Sequence, residues 1–381
     1  MRLEFDDEQA LLQTTARDFS ARELEPFLAR HPDEPLPRDS VFELLRMVKP
    51  FGMLSARVPA RHGGAGMDAV SLGILYEEFP PDVSLTASAN DIIGLRLLDG
   101  GSPEIVDRYL PRLIEGEIMA GSSISEPDAG SDVTSITTRA DRDGDSYVVD
   151  GCKVWSSHCT IADILLAAVR LGTDDRGRAV VGRLLIDREQ SQFETRDLKL
   201  MGLKRHHLGE VVFDSCRVPA GNLIGEGGLA SLTASWLTQR TLLGLMAVHL
   251  ARKAYEASVA YAKERRQFGK PIGAFQLVQS MIVEMATLID TSRYLCYRAL
   301  DLLDRGVDAR MESSMAKYYA TEAAVKVTSL AIQVHGTYGL STEYPLEQYF
   351  RDARMLTMPD GTTEIQKLMV GREILGISAI R

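Results

Sequence analysis

The residue best suited to move a proton in this sequence is Asp360, in the stretch MLTMPDGTTEIQKLMVGREIL from Met355 to Leu375. A carboxylate acts as a general base only where its oxygen comes within about 2.6 to 3.2 Å of the atom that gives up the proton. Pro-Asp-Gly-Thr is also a favourable turn, and Thr363 with Gln366 fits a capping box for the helix that follows. Three other segments carry ligand-binding chemistry. In SSISEPDAGSDVTSITTRA, Ser122 to Ala140, small hydroxyls and glycines let a backbone approach a flat or anionic ligand that Ser125 and Ser131 can hydrogen-bond. The same residues also read as a strand followed by a Pro-Asp turn. KVWSSH, Lys153 to His158, offers the face of Trp155 beside Ser156 and Ser157, which suits an aromatic ring or a half-buried strand. KERRQFGKPIGAFQ, Lys263 to Gln276, puts Arg265, Arg266 and Phe268 at a helix end, where the cations can hold a pyrophosphate or simply complement the helix dipole.

These segments need elements to hold them. From Asp6 to about Leu113 the apolar residues recur at helical spacing, interrupted by the loops HPDEPLPRD and PARHGGAGMD. Near Ala120 the texture changes to short runs such as ADILLAAVRL and GEVVFDSCRVP, with Asp-Gly turn signals in DRDGD and VVDGCKV; a compact antiparallel β unit is expected. His206 and His207 are predicted to face opposite sides of a strand. After NLIGEGGLA long amphipathic stretches return and close on TTEIQKLMVGREIL. The predicted fold is α+β and mostly α, with an N-terminal helical domain over 1–118, a middle β-domain over 119–228 and a C-terminal four-helix bundle over 229–381.

A chain of 381 residues exceeds one hydrophobic core and is long enough to bury a large site. Its net charge of −10 argues against duplex nucleic acid, which needs a dense Lys/Arg face. The acidic start MRLEFDDEQA does not read as a signal peptide, and no twenty-residue apolar run follows, so a cytoplasmic protein with no membrane partner is expected. The four cysteines are too scattered for a disulfide framework and read as small buried residues. The seven histidines show no metal pattern.

The order and spacing of SEPDAGSD and RRQFGKPIGAFQ, with FDDEQALLQTTARDF near the start and QVHGTYGLSTEYPLEQYFRDARM near the end, resemble the acyl-CoA dehydrogenase family over nearly the whole chain. The resemblance implies FAD, the three-part fold above, and a homotetramer or dimer. It also implies a reaction in which a base takes the α-proton of an acyl thioester while the β-hydrogen leaves as hydride to the flavin. By position, Ile124, Ser125, Gly130, Ser131, Trp155 and Ser157 would line the cofactor; family members often have Thr where Ser125 and Ser157 stand. Arg265, Gln267, Phe268, Gln333, Gly336, Thr362 and Glu364 resemble residues that reach the FAD of a neighbouring subunit. Ser131, Arg240 and Asp91 are the expected substrate contacts, and the main-chain N–H of Asp360 an expected donor to the thioester carbonyl. An electron-transferring flavoprotein is the implied electron acceptor.

Several departures from the family pattern follow. Many members carry Glu where Asp360 stands, so the stem here is shorter by one methylene, roughly 1.5 Å of reach. A second branch keeps its base one residue before an Arg on the helix after the β-domain; here that residue is Gln239, before Arg240, and an amide takes no proton. Asp91, in TASANDIIGLRLL, is the alternative base, or a helix-surface acid. Thr337, His249 and His206 replace residues that are usually small. The reading that follows is desaturation of a thioester of CoA or of an acyl-carrier protein, with Asp360 as base. The alternatives are desulfination, oxygenation or ring desaturation on the same scaffold, or a non-catalytic flavin-bearing subunit.

Overall fold

The first helix starts where the sequence caps it: the Asp6 carboxylate accepts from the Gln9 N–H while the Gln9 side chain returns to Asp6, a full capping box. The computed structural model describes residues 4–175, 179–225 and 236–379. Six α-helices fill the N-terminal third: α1 (Asp7–Phe19), α2 (Glu25–Ala29), α3 (Arg38–Val48), α4 (Ala69–Glu78), α5 (Pro81–Gly100) and α6 (Pro103–Glu115). Ser102 caps α6, and Gly116 ends it at φ +69°, a conformation that costs glycine little.

Seven strands form one sheet: β1 (Ala120–Ser123), β2 (Arg139–Asp143), β3 (Ser146–Ser157), β4 (Ile164–Thr173), β5 (Ala179–Asp187), β6 (Glu194–Asp197) and β7 (Leu208–Pro219). Their order is β1-β4-β2-β3-β7-β6, with β5 on β4. The expectation of an antiparallel unit needs correction, because β1 runs parallel to β4, and β2 meets β4 in parallel at Arg139 and Arg170. The cause is visible in ILLAAV of β4. Leu165, Ala167 and Val169 pack into the β-domain core, while Ile164 and Leu166 pack against α5 and α6, so both faces of the strand are covered.

Only one of the two Asp-Gly signals makes a turn. Asp143 and Ser146 close the β2–β3 hairpin around Gly144, whereas Asp150-Gly151 lies inside β3 as a bulge. Gly151 has φ +147°, and a Cβ there would stand 2.5 Å from the Thr138 hydroxyl. The Asp150 carboxylate accepts the N–H of Ser215 across the irregularity at 2.8 Å. His206 and His207 also differ from expectation, since both lie buried in the loop before β7 rather than in a strand.

Beyond the described gap come α7 (Trp236–Glu264), a hairpin of β8 (Arg266–Gln267) and β9 (Lys270–Pro271), α8 (Gln276–Asp304) and α9 (Arg310–His335). The shorter α10 (Leu346–Leu356) and α11 (Thr363–Leu375) pack on α9, and together these helices make up the expected C-terminal helical domain. The expected boundary at residues 228 and 229 lies outside the described residues. Both helical thirds share one core, in which Leu75 of α4 and Phe79 just after it join Leu242 and Leu245 of α7 and Leu300 of α8. Among the described residues, no helix is long and apolar enough to cross a membrane. The four cysteines are free, and three of them are buried.

Candidate active site

The Met355–Leu375 stretch folds as a helix end, a turn and a new helix. Between α10 and α11 the chain takes φ +54° at Asp360 and φ +98° at Gly361. A left-handed aspartate costs on the order of 1–3 kcal/mol and persists only where its surroundings hold it. Here the main chain is held. Arg240 Nε donates to the Asp360 carbonyl at 3.0 Å, and Gln366 Nε2 donates to the same oxygen at 2.9 Å and to the Gly361 carbonyl at 3.1 Å. Lys317 Nζ reaches the Thr357 and Gly361 carbonyls at 2.7 and 2.8 Å. The cap of α11 is Thr362, which accepts from the Ile365 N–H, and not Thr363. Gln366, expected in a capping box, is taken by the turn, and the Thr363 hydroxyl bonds Glu322 at 2.6 Å.

Held in this way, Asp360 stands in the wall of a cavity of about 190 Å³. One wall is α5, which presents Leu85, Ser88, Ala89, Ile92, Ile93 and Arg96, spaced three and four apart as one helical face requires. The sheet supplies Ser122, Ile124, Ser157, Leu166, Ala168 and Arg183, and α7 adds Trp236, Gln239 and Leu243. Burial raises the pKa of Asp360 above the ordinary aspartate value, while the nearby charges of Arg240 and Lys317 work against that rise. Among the described residues, the Asp360 backbone N–H has no acceptor.

Ile124 and Ser157 line this cavity together, and the residues beside them are pinned to β3. Val154 N–H donates to the Ser125 carbonyl at 2.9 Å, and Lys153 Nζ donates to the Ile124 carbonyl at 2.9 Å. The register of β3 slips between Lys153 and Ser156, and Trp155 sits in that slip at φ +59° with its indole 58% exposed. Gly130 and Ser131 lie exposed on the loop beyond, where a Cβ at Gly130 would meet nothing within 4 Å. An exposed indole, hydroxyls at Ser125, Ser131 and Ser157, and an open glycine suit a flat heteroaromatic ring carrying a polar, anionic tail.

Glu126, inside SEPDAGSD, explains why that loop keeps its shape, and nothing in the sequence reading singled it out. Its carboxylate takes the Thr137 and Thr138 N–H groups at 2.6 and 2.8 Å and the buried Lys153 ammonium at 2.8 Å. Burial alone would raise its pKa; the Lys153 and threonine hydrogen bonds win and hold it at about 2.

The second group of expected cofactor residues does not reach this cavity. Arg265, Gln267 and Phe268 lie exposed on the β8–β9 hairpin, with Phe268 at φ +51° and 93% exposed. Gln333 and Gly336 are exposed at the end of α9, Glu364 is exposed on α11, and Thr362 is half-buried.

Asp91 is neither a cavity residue nor a helix-surface acid. It is 2% exposed, and its oxygens accept the Arg57 backbone N–H at 2.8 Å and Arg57 Nε at 2.7 Å. At about 100° per residue, Asp91 falls well round α5 from the cavity stripe. Arg240 is likewise buried and serves the Asp360 turn, its guanidinium 5.4 Å from the centre of the Trp236 ring. Gln239 lines the cavity, but its buried Oε1 has no partner among the described residues. His206 lines it too, edge-on to His158 at 4.4 Å, and burial lowers its pKa to about 3, so it is neutral at physiological pH. His249 is buried against the Glu77 carbonyl at 2.9 Å, away from the site.

Lys317 also went unremarked in the sequence. Its signal is periodicity, because it falls on the same α9 face as Ser313, Ala316, Ala320, Thr321 and Ala324, all buried. A lysine on such a face must find acceptors inside the protein.

Comparison with known proteins places this geometry. The acyl-CoA dehydrogenase N-terminal, middle and C-terminal domain models match residues 6–117, 121–216 and 226–375. An acyl-CoA dehydrogenase of Bacillus subtilis is 32% identical over 378 residues, covering 97% of this chain and 98% of the relative. A glutaryl-CoA dehydrogenase of Desulfococcus multivorans is 32% identical over 389 residues, covering 99% of each chain. The structure of butyryl-CoA dehydrogenase from Megasphaera elsdenii superimposes with a TM-score of 0.90 at 27% identity, covering 98% of this chain and all of that one.

Proposed function

The chain belongs to the acyl-CoA dehydrogenase family, and on that premise we propose that it desaturates an acyl thioester between C2 and C3, with Asp360 as the base. The observation that carries this reading is the placement of Asp360. Asp360, on a held, left-handed turn, lines the same cavity as Ile124 and Ser157, two of the residues expected to line the flavin. In the proposed step the α-proton passes to an Asp360 oxygen, the β-hydrogen leaves with its electron pair, and the C2–C3 double bond forms. FAD, when bound, supplies the two-electron acceptor for that hydrogen.

The rest of the chemistry belongs to side chains and main chain. Ile124, Ser125, Gly130, Ser131, Trp155 and Ser157 would hold the ring and its ribityl-phosphate tail. Arg265, Gln267, Phe268, Gln333, Gly336, Thr362 and Glu364 would meet the cofactor of a neighbouring subunit in a homotetramer or dimer; the exposure of all but the half-buried Thr362 supports that assignment. The Asp360 N–H would donate to the thioester carbonyl as enolate charge develops, a role supported by its lack of an acceptor among the described residues. Leu85, Ala89, Ile92 and Ile93 of α5 would keep water from the reacting carbons. The carrier is CoA or an acyl-carrier protein, and the released electrons pass to an electron-transferring flavoprotein.

Anaerobic addition of a thioester panel on both carriers tests this reading. Bleaching of the flavin with formation of a 2-enoyl thioester is expected. An oxygenated product or released sulfite would assign the scaffold to other chemistry.

A further inference from the structure

Lys317 is 0% exposed, and its ammonium spans the turn that carries Asp360. One hydrogen bond goes to the carbonyl of Thr357, three residues before Asp360, and the other to Gly361, the residue after it. Arg240 and Gln366 hold the carbonyl of Asp360 itself. Among the described residues, Lys317 alone therefore bonds main-chain carbonyls on both sides of Asp360 and ties them to α9. We propose that Lys317 is a positioning residue for Asp360: its ammonium pins the main chain on both sides of the carboxylate and supplies a positive charge that keeps that carboxylate a base.

The proposal's catalytic arm rests on Asp360 as the α-proton acceptor. Its electrostatic arm does not. Four charged groups face Lys317: Asp360 from the turn, Arg240 from α7, Glu322 on its own helix and Glu364 on α11. Burial lowers the Lys317 pKa to about 8, with Arg240 adding to that effect and the three carboxylates opposing it. The lysine therefore stays charged through neutral pH. Removing the charge leaves burial, which disfavours the anion, opposed at Asp360 by Arg240 alone.

Lys317→Gln and Lys317→Met separate the two contributions. Glutamine keeps N–H donors without the charge, and methionine keeps neither. The first measurement is labelling of the Asp360 peptide by a water-soluble carbodiimide, followed by mass spectrometry across pH, because only the protonated carboxyl reacts and no turnover is needed. The labelling midpoint should rise by about one pH unit or more in both variants relative to the wild type. The second is the anaerobic rate of flavin reduction at pH 7.5, which should fall roughly tenfold in Lys317→Gln and about a hundredfold in Lys317→Met, FAD remaining bound. The acid limb of that rate should move with the labelling midpoint. An unmoved midpoint in Lys317→Gln overturns the proposal, and that variant decides alone if Lys317→Met does not fold. A shifted midpoint in a protein whose wild type no thioester reduces would instead overturn the proposed reaction and leave the hold of Lys317 on Asp360 intact.

Discussion

At the scale of single residues, Asp360 joins two demands that usually conflict. A base must keep its proton affinity, and burial helps it do so; a base must also stay ionised until substrate arrives, and Arg240 and Lys317 favour that. Gln239 makes a contrast on the same cavity wall. Its Oε1 is buried without a partner among the described residues, and a buried unsatisfied carbonyl costs about 1–3 kcal/mol. Gln239→Leu should accordingly leave thermal stability unchanged or raise it, as a melting curve would show, and a clear loss would mean that the amide has a partner in solution. Asp360 was legible in the sequence as an acid beside a glycine before a helix. What could not be read was its backbone. Nothing in Pro-Asp-Gly-Thr tells that Asp360 and Gly361 both turn left-handed, because the donors that hold them come from α7, α9 and α11. Asp91 was misread for a related reason: an acid in an apolar helix looks like a surface residue until its arginine, thirty-four positions earlier, is found.

At the scale of elements, two ionic clusters set the frame of the site. Glu126 and Lys153 lock the SEPDAGSD loop onto β3. Removing one member of a buried pair leaves the other charge uncompensated, at about 3–5 kcal/mol. Lys153→Met should therefore lower the melting temperature and weaken FAD binding together, as measured by calorimetry and by flavin release; unchanged flavin affinity would separate the loop from the cofactor. The second cluster joins α1, α4 and α7, where Glu78 takes Arg17 at 2.9 Å and Arg252 at 2.6 Å and 2.8 Å. Burial alone would raise its pKa, yet the two arginines hold it at about 2. A depressed carboxylate adds stability that is full above its unfolded value near 4.5 and is lost as pH falls towards about 2. Glu78→Gln should flatten the acid limb of the stability profile in that window, read from urea midpoints at successive pH values. The helices around the second cluster were legible from period and caps. The sheet was less so: the short runs fitted hairpins, but Asp150-Gly151 became a bulge and β4 paired in parallel because both of its faces are covered by residues distant in sequence.

At the scale of the whole molecule, the helical thirds and the β-domain meet behind the cavity. Asp352 on α10 accepts the Leu203 N–H at 2.6 Å, while Asp33 receives Lys204 at 3.2 Å and Arg351 at 3.1 Å. Asp82 on α5 is buried close to Asp352, and burial followed by that neighbour's charge raises its pKa above the unfolded value near 3.8. A raised carboxylate gives stability that is full below the unfolded value and lost as pH rises through the folded one. Asp82→Asn should thus gain in relative stability as pH climbs from 4 to 8, seen in melting curves at matched ionic strength. This junction holds the loop that carries His206 into the cavity, so its integrity bears on the site as well as the fold.

The measurement that reaches the central claim most directly is anaerobic stopped-flow reduction of the bound flavin by a saturating thioester, in the wild type and in Asp360→Asn. The asparagine keeps the shape of the side chain and removes its capacity to take a proton. A wild type that bleaches to a 2-enoyl product, beside a variant that binds FAD and thioester yet falls at least about a thousandfold in rate, is the predicted result. Reduction of the variant at the wild-type rate would contradict the account and place the base elsewhere in the cavity.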